Sequence, residues 1–292
     1  MQQDAFGRCH PVVNILFYIG AIVLSAVVQH PVFLAAALVC GGAYYLLLAG
    51  KKAAKQMALL LPFGLLIALV NPIFNTRGQT VLFLLFGRPY TAQALLYGGI
   101  VAGILLAMLI WFGSYNRIMT GDKFTSLFAN LAPSISLLLV MIFRLVPNLL
   151  RKISQIAGAR RSIGKGAGEG AGTREKLKDG TTVLSAVTTW ALEGSLVTGD
   201  SMRSRGYGCG KRSSFQIYRM TLRDWVLLAL ELLLLGAVIT GGTLGQFTAE
   251  FLPVYKAAPL SWGLAAYCAF LLIPIALHLW DAITWRLAVR KV

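Results

Sequence analysis

The sequence predicts an all-α integral membrane protein: about six transmembrane helices, N-terminus and C-terminus both inside, and further long helices on the cytoplasmic side. Three observations lead there. The 292 residues are 57% apolar and only 13% charged, with a mean hydropathy of +0.70, whereas soluble domains are about 45–50% apolar and roughly 25% charged. Six runs approach the roughly 20 apolar residues that cross a bilayer. The 27 basic residues are strongly clustered along the chain.

The first run, about 12–29, comes after "MQQDAFGRCHP". That start has a short polar tip and no small-residue cleavage site, so the first span is expected to be retained. Only "QHP" separates it from the second, 31–49, which predicts a tight helical hairpin. The third is read at 56–75 and the fourth at 93–115. Between them "NPIFNTRGQTVLFLLFGRPYTAQA" (71–94) is punctuated by Asn75, Gly78, Gly87 and Pro89. It is too short and turn-rich to span, and it predicts an extended hairpin at the interface. The last two spans are read at 225–244 and 262–285.

With six spans and the N-terminus inside, only Arg77, Arg88 and Lys256 of the 27 basic residues fall outside. "KKAAK" (51–55), "RLAVRK" (286–291) and the whole of 116–224 then share one face, which the positive-inside rule makes cytoplasmic. The net charge of +16 is thereby a mark of that face. Anionic headgroups and protein partners, rather than nucleic acid, are its expected neighbours. The chain thus divides into three regions: 1–115 with four membrane helices, 116–224 on the cytoplasmic side, and 225–292 with two membrane helices.

Region 116–224 predicts helices of a different kind. "TGDKF" (120–124) offers Thr120 or Asp122 as an N-cap. Pro133 and Pro147 are expected to break the stretch from 125 to 163 into pieces, because proline removes a donor and clashes with the preceding turn. The piece "SISLLLVMIF" is then too short to cross a bilayer alone. The last piece, about 148–161, carries Leu149, Ile153, Ile156 and Ala157 at helical spacing and stops at Gly164. A glycine-rich linker is read over 164–180, and a second helix from 181 to Gly206. Small residues Ser185, Thr188, Gly194 and Ser195 would let another helix approach it closely. Both helices end in a short arginine motif, Ala159-Arg160-Arg161 and Ser204-Arg205-Gly206.

Several chemistries find no pattern. Cys9, Cys40, Cys209 and Cys268 are scattered, as are His10, His30 and His278, so neither a disulfide framework nor metal-ligand spacing is implied. "GARRSIGKG" fails as a phosphate loop, since Gly158 and Gly164 are one residue too far apart and Gly166 stands where Ser or Thr is needed. "GAGEGA" (166–171) has no strand before it and reads as linker. No nucleophile–base arrangement or carboxylate pair is recognisable. Glu231 lies inside the fifth span, about two turns from Asp224. An intramembrane acid is a functional candidate by default, but the plainer expectation is an acid near the interface, paired with an arginine or a backbone group.

"LEGSLVTGDSMRSRGYG" (192–208), with Ala159-Arg160 before it, resembles the T component of energy-coupling factor (ECF) transporters, the cobalt-transport T-subunit-like family. The His-Pro pair near the start, "NPIFNTRGQTVLF" (71–83), "WFGSYNRIMTGDKFTSLF" (111–128) and Asp224-Trp225 add to the likeness, which covers most of the chain. The resemblance implies a non-catalytic transmembrane coupling subunit of an ATP-driven importer in a bacterial or archaeal cell membrane. Its partners would be two ATP-binding cassette ATPase subunits and a small substrate-binding membrane subunit, all in the lipid bilayer setting, for uptake of a vitamin or a transition-metal ion. This chain would hold no cofactor, with ATP and Mg bound by the partner ATPases. In that family two cytoplasmic coupling helices end in Ala-Arg-Gly motifs whose arginines dock into ATPase grooves. Carried over, the docking residues are Ala159, Arg160 and Arg161 on one helix and Ser204, Arg205 and Gly206 on the other. Ser204 replaces the usual alanine, and Arg161 stands where glycine is usual. The rival readings are a self-contained carrier or channel, which needs broken helices with polar groups at midplane, and a membrane-embedded lipid-modifying enzyme, which needs clustered acids or a nucleophile.

Overall fold

The computed structural model describes residues 4–75, 80–85, 88–131, 133–166, 172–210, 218–245, 247, 249–250, 256–257 and 261–289. After a 3₁₀ turn at Phe6–Arg8 come α1 (Pro11–Val27), α2 (Pro31–Ala49), α3 (Lys51–Phe74), β1 (Val81–Leu85), β2 (Arg88–Thr91) and α4 (Ala92–Ile118). The chain continues with α5 (Gly121–Leu131), α6 (Pro133–Ser162), α7 (Thr173–Ser204), α8 (Leu222–Thr243), β3 (Ala249–Glu250), β4 (Lys256–Ala257) and α9 (Trp262–Val289). The strands form two separate antiparallel hairpins, β1 with β2 and β3 with β4. The first stands where the turn residues of 71–94 predict one. The fold is all-α in the make-up of a multi-pass membrane protein: α2, α3, α4, α6, α8 and α9 are each long and apolar enough to cross a bilayer.

Two sequence expectations are corrected. Helix α6 runs unbroken through Pro147 for 30 residues, and its Ser134–Ser162 stretch is one of the six long apolar helices among the described residues, whereas α1 is shorter. Proline's cost is local, one missing N–H and one crowded carbonyl. It does not outweigh continuous helix on both sides, just as Pro62, Pro72 and Pro274 lie within α3 and α9. The linker is also shorter than read, because "TREKLKD" joins α7, which spans 32 residues.

The chain divides into two compact units, Met1–Thr120 with Tyr218–Val292, and Gly121–Ile217. In the first, α4 is the central helix. Helices α1, α2 and α3 all pack on it, and α8 packs on α9. Close approach is built from small residues: a Cβ on Gly98 would stand 2.6 Å from the Ala68 carbonyl oxygen of α3. Fully buried Trp111 of α4 anchors an aromatic cluster with Phe17 (5.6 Å between centroids), Tyr18 and Tyr44 (each 6.4 Å). Phe17 stacks in turn on Phe270 of α9 at 5.1 Å.

Helices α1 and α2 begin alike. Each has a histidine at the N-cap and a proline at the first helical position, with His10 Nδ1 accepting from Val12 N–H and His30 Nδ1 from Val32 N–H, both at 3.3 Å. The proline lacks an N–H where none is needed, and the imidazole satisfies one of the remaining orphan donors. The N-terminal segment is tied to the other helices. Asp4 accepts from Tyr44 Oη at 2.6 Å and pairs with His278, Arg8 pairs with Asp281, and His10 N–H donates to Asp224 at 3.0 Å. Asp224 also closes a capping box with Thr221 at the start of α8. These ties bring the start of α1, the last turns of α2, the start of α8 and the C-terminal half of α9 together.

Glu231 departs from the expected interfacial pairing. It is 0% exposed, and neither carboxyl oxygen has a hydrogen-bond partner among the described residues. The reason is its place on the inward stripe of α8, with Asp224, Leu227, Val238 and Gly241. That spacing follows the helical repeat, which turns all five toward the packed side.

Candidate functional site

The arginine motifs all lie in the second unit. There α5 packs on α6 and α6 on α7. Ser136 Oγ of α6 donates to the Thr125 carbonyl of α5 at 3.2 Å. The α6–α7 pair is closed by two polar links. Arg160 Nε donates to Asp179 Oδ1 at 2.7 Å, and Lys152 Nζ sits 5.4 Å from the Trp190 ring centroid. Asn148, Arg151, Lys152, Gln155 and Trp190 line a shallow groove beside the second link.

Both helices stop in the same way. At the end of α6, Gly164 takes φ +71. Its N–H donates to the Arg161 carbonyl at 3.0 Å, and the Lys165 N–H donates to the Arg160 carbonyl at 2.9 Å. At the end of α7, Gly206 takes φ +74. Its N–H donates to the Arg203 carbonyl at 2.9 Å, and the Tyr207 N–H donates to the Met202 carbonyl at 3.0 Å. Each is a complete Schellman motif, with glycine in the left-handed position at the two helix stops that the sequence places at Gly164 and Gly206. The repeated bond pattern supplies a common frame for comparing side chains at the two ends.

In that frame the six candidate residues divide. Ala159 and Arg160 lie before the stop of α6, and Arg161 lies one residue further on, exposed. Ser204 is the last residue of α7, with its hydroxyl bonded back to the Asp200 carbonyl at 2.9 Å. Arg205 is the C-cap of α7 and is exposed, and Gly206 is the turn residue. Arg160 is the one candidate arginine held by an ion pair among the described residues. Its Nη2 also donates to the Lys165 carbonyl at 3.1 Å. Asp179, its partner, falls in the linker by sequence alone. The signal that marks it as helical is the run of good helix formers, Arg174 to Lys178, just before it.

The two ends are far apart. From Asp179, which meets the end of α6, to Ser204 at the end of α7 is roughly 38 Å of helix at the 1.5 Å rise per residue. Basic side chains at helix C-termini complement the free carbonyls and the negative end of the dipole. A guanidinium there also offers fixed donors to carboxylates or carbonyls beyond the helix. Among the described residues no group of three or more His, Cys, Asp or Glu side chains is placed to hold a metal ion. The chain matches no protein-family model. No curated protein matches it either.

Proposed function

We propose that this chain is the transmembrane coupling subunit of an ATP-driven importer of the ECF type. In this reading the first unit sits in the membrane with both termini and the α6–α7 ends on the cytoplasmic side. Two ATP-binding cassette ATPases take hold of the ends of α6 and α7. Their closure on ATP moves the two helices, which pass the movement to a small substrate-binding membrane subunit for uptake of a vitamin or transition-metal ion. ATP and Mg belong to the ATPases, and catalysis is not this chain's task.

The observation that carries the reading is the repeated basic helix end. Two identical stops, each preceded by arginine, stand roughly 38 Å apart along α7. One small ligand does not engage both, whereas two copies of a similar groove on a pair of subunits do. The basic bias of 116–224 supports the cytoplasmic placement.

Two experiments test it. Co-expression with the ATP-binding cassette subunits encoded nearest to it is expected to yield a complex. Reversing the charge of the arginines at both helix ends is expected to abolish that complex or to uncouple ATP hydrolysis from uptake. Normal assembly and transport by such a variant would refute the docking. For the topology, the exposed Cys209 beyond α7 serves as a native probe. A membrane-impermeant maleimide is expected to spare it in intact cells and label it in inside-out vesicles, and labelling in intact cells would reverse the orientation.

A further inference from the structure

The family-like motif pairs Arg160 with Arg205, but the backbone pairs different residues. Counted from the left-handed glycine, Arg205 of α7 corresponds to Ile163 of α6, and Arg160 corresponds to Met202. Arg161 and Arg203 are the arginines at matching places, each giving its carbonyl to the N–H of the stop glycine. Both are exposed.

Arg160 is occupied within the unit. Its side chain is 23% exposed and that of Asp179 is 17% exposed. One nitrogen holds the Asp179 carboxylate of α7, and another holds the Lys165 carbonyl in the turn that leaves α6. It therefore binds the end of α6, the turn and the start of α7 together. To reach outward it must give up a 2.7 Å ion pair with a partly buried carboxylate, which is costly. Arg161 has no such tie among the described residues. The turn passes close to its stem only because residue 166 is glycine: a Cβ there would fall 2.6 Å from Arg161 Cγ. Arg161 as a whole is exposed beside that turn.

We propose that Arg160 is an internal staple, a positioning residue. Arg161, with Arg203 at the matching place on α7, is then the cation that the helix ends present to acidic grooves on the two ATPases. This rests on the coupling-subunit reading above. The partner chemistry is carboxylate, because each end presents a guanidinium whose charge and fixed donors match carboxylate oxygens. Arg205 is an additional cation on α7 without a counterpart.

Two measurements separate the roles. Hydrogen exchange on the full chain in detergent reads the staple. Arg160→Ala and Asp179→Ala are each expected to speed exchange of amides 173–180 by about tenfold, with the double variant falling well short of the product of the two, because the two side chains share one link. The swap Arg160→Asp with Asp179→Arg is expected to recover part of the protection, and Arg161→Ala to leave it unchanged. Copurification of the neighbouring ATPases reads the presented cation. Arg161→Glu with Arg203→Glu is expected to lower capture by about tenfold, on the scale of a lost charged contact, while Arg160→Ala retains most of it. Unchanged exchange in Arg160→Ala, or wild-type capture by the Arg161/Arg203 variant, overturns the proposal. Failure of the wild-type chain to capture any ATPase overturns the functional reading and the docking half with it, and the exchange result still decides the staple.

Discussion

Gly98 and Gly99 are neighbours in α4, and replacing each by alanine is expected to act in opposite directions. A Cβ at Gly98 would lie 2.6 Å from the Ala68 carbonyl oxygen and 2.9 Å from Asn71 Cβ, whereas at Gly99 nothing lies within 4 Å. A carbon–oxygen contact is comfortable near 3.3 Å, so the site is short by roughly 0.7 Å. The obstacle at Gly98 is main chain and a first side-chain carbon, neither of which can rotate away, so α3 must back off. Overpacking of this kind costs about 1–3 kcal/mol. Alanine for glycine inside a helix recovers about 1 kcal/mol at either position. The propensity gain cancels when the two variants are compared, leaving the overpacking alone, about 1–3 kcal/mol. For a chain of this size that separates the melting midpoints by several degrees, at roughly 2–4 °C per kcal/mol. Thermal unfolding of the purified full chain in detergent reads it, with Gly98→Ala expected below wild type and Gly99→Ala at or above it. Coincident midpoints, or Gly98→Ala melting highest, would show that α3 and α4 do not meet at Gly98.

Other outcomes rest on the same structure. Burial lowers the His10 imidazole from its ordinary 6.5, against a smaller opposing pull from Asp224. The unfolded chain therefore binds a proton more readily than the folded chain. The His10 share of stability is complete above pH 6.5 and fades as pH falls through and below it. His10→Ser keeps a cap but not the titration, so its midpoint-against-pH curve is expected to be flatter there, and a parallel curve would count against the buried imidazole. Glu231→Met is expected to raise the melting midpoint, since an unpaired buried polar group costs about 1–3 kcal/mol, and a fall would reveal a partner for the carboxyl. Gly206→Ala is expected to loosen the end of α7 by about 1–2 kcal/mol, the cost of a left-handed L-residue. Faster exchange of the Gly206 and Tyr207 amides would register this, and unchanged exchange would deny the Schellman stop.

Much of the fold is legible along the chain because its causes are local. Twenty apolar residues in a row read as a membrane-length helix wherever they sit. The stops at Gly164 and Gly206 are legible because a left-handed turn suits glycine. The β1–β2 hairpin is legible because its turn residues are adjacent to its strands. The candidate site is legible only as two helix ends rich in arginine. Which arginine faces outward is not, because Arg160 is held by Asp179, 19 positions away, and no local pattern announces that partner.

The amino-acid sequence by itself determined the all-α membrane character, the clustered positive charge, the hairpin and both glycine stops, since each depends on composition or on a few neighbouring residues. The tertiary structure alone decided that α6 continues through Pro147, that Glu231 faces inward without a partner among the described residues, and that Arg160 binds Asp179 while Arg161 has no such tie among the described residues. Each of these depends on what lies across the packing from the residue, or on whether a helix's total bonding outweighs one local break, and neither is written in nearest-neighbour sequence.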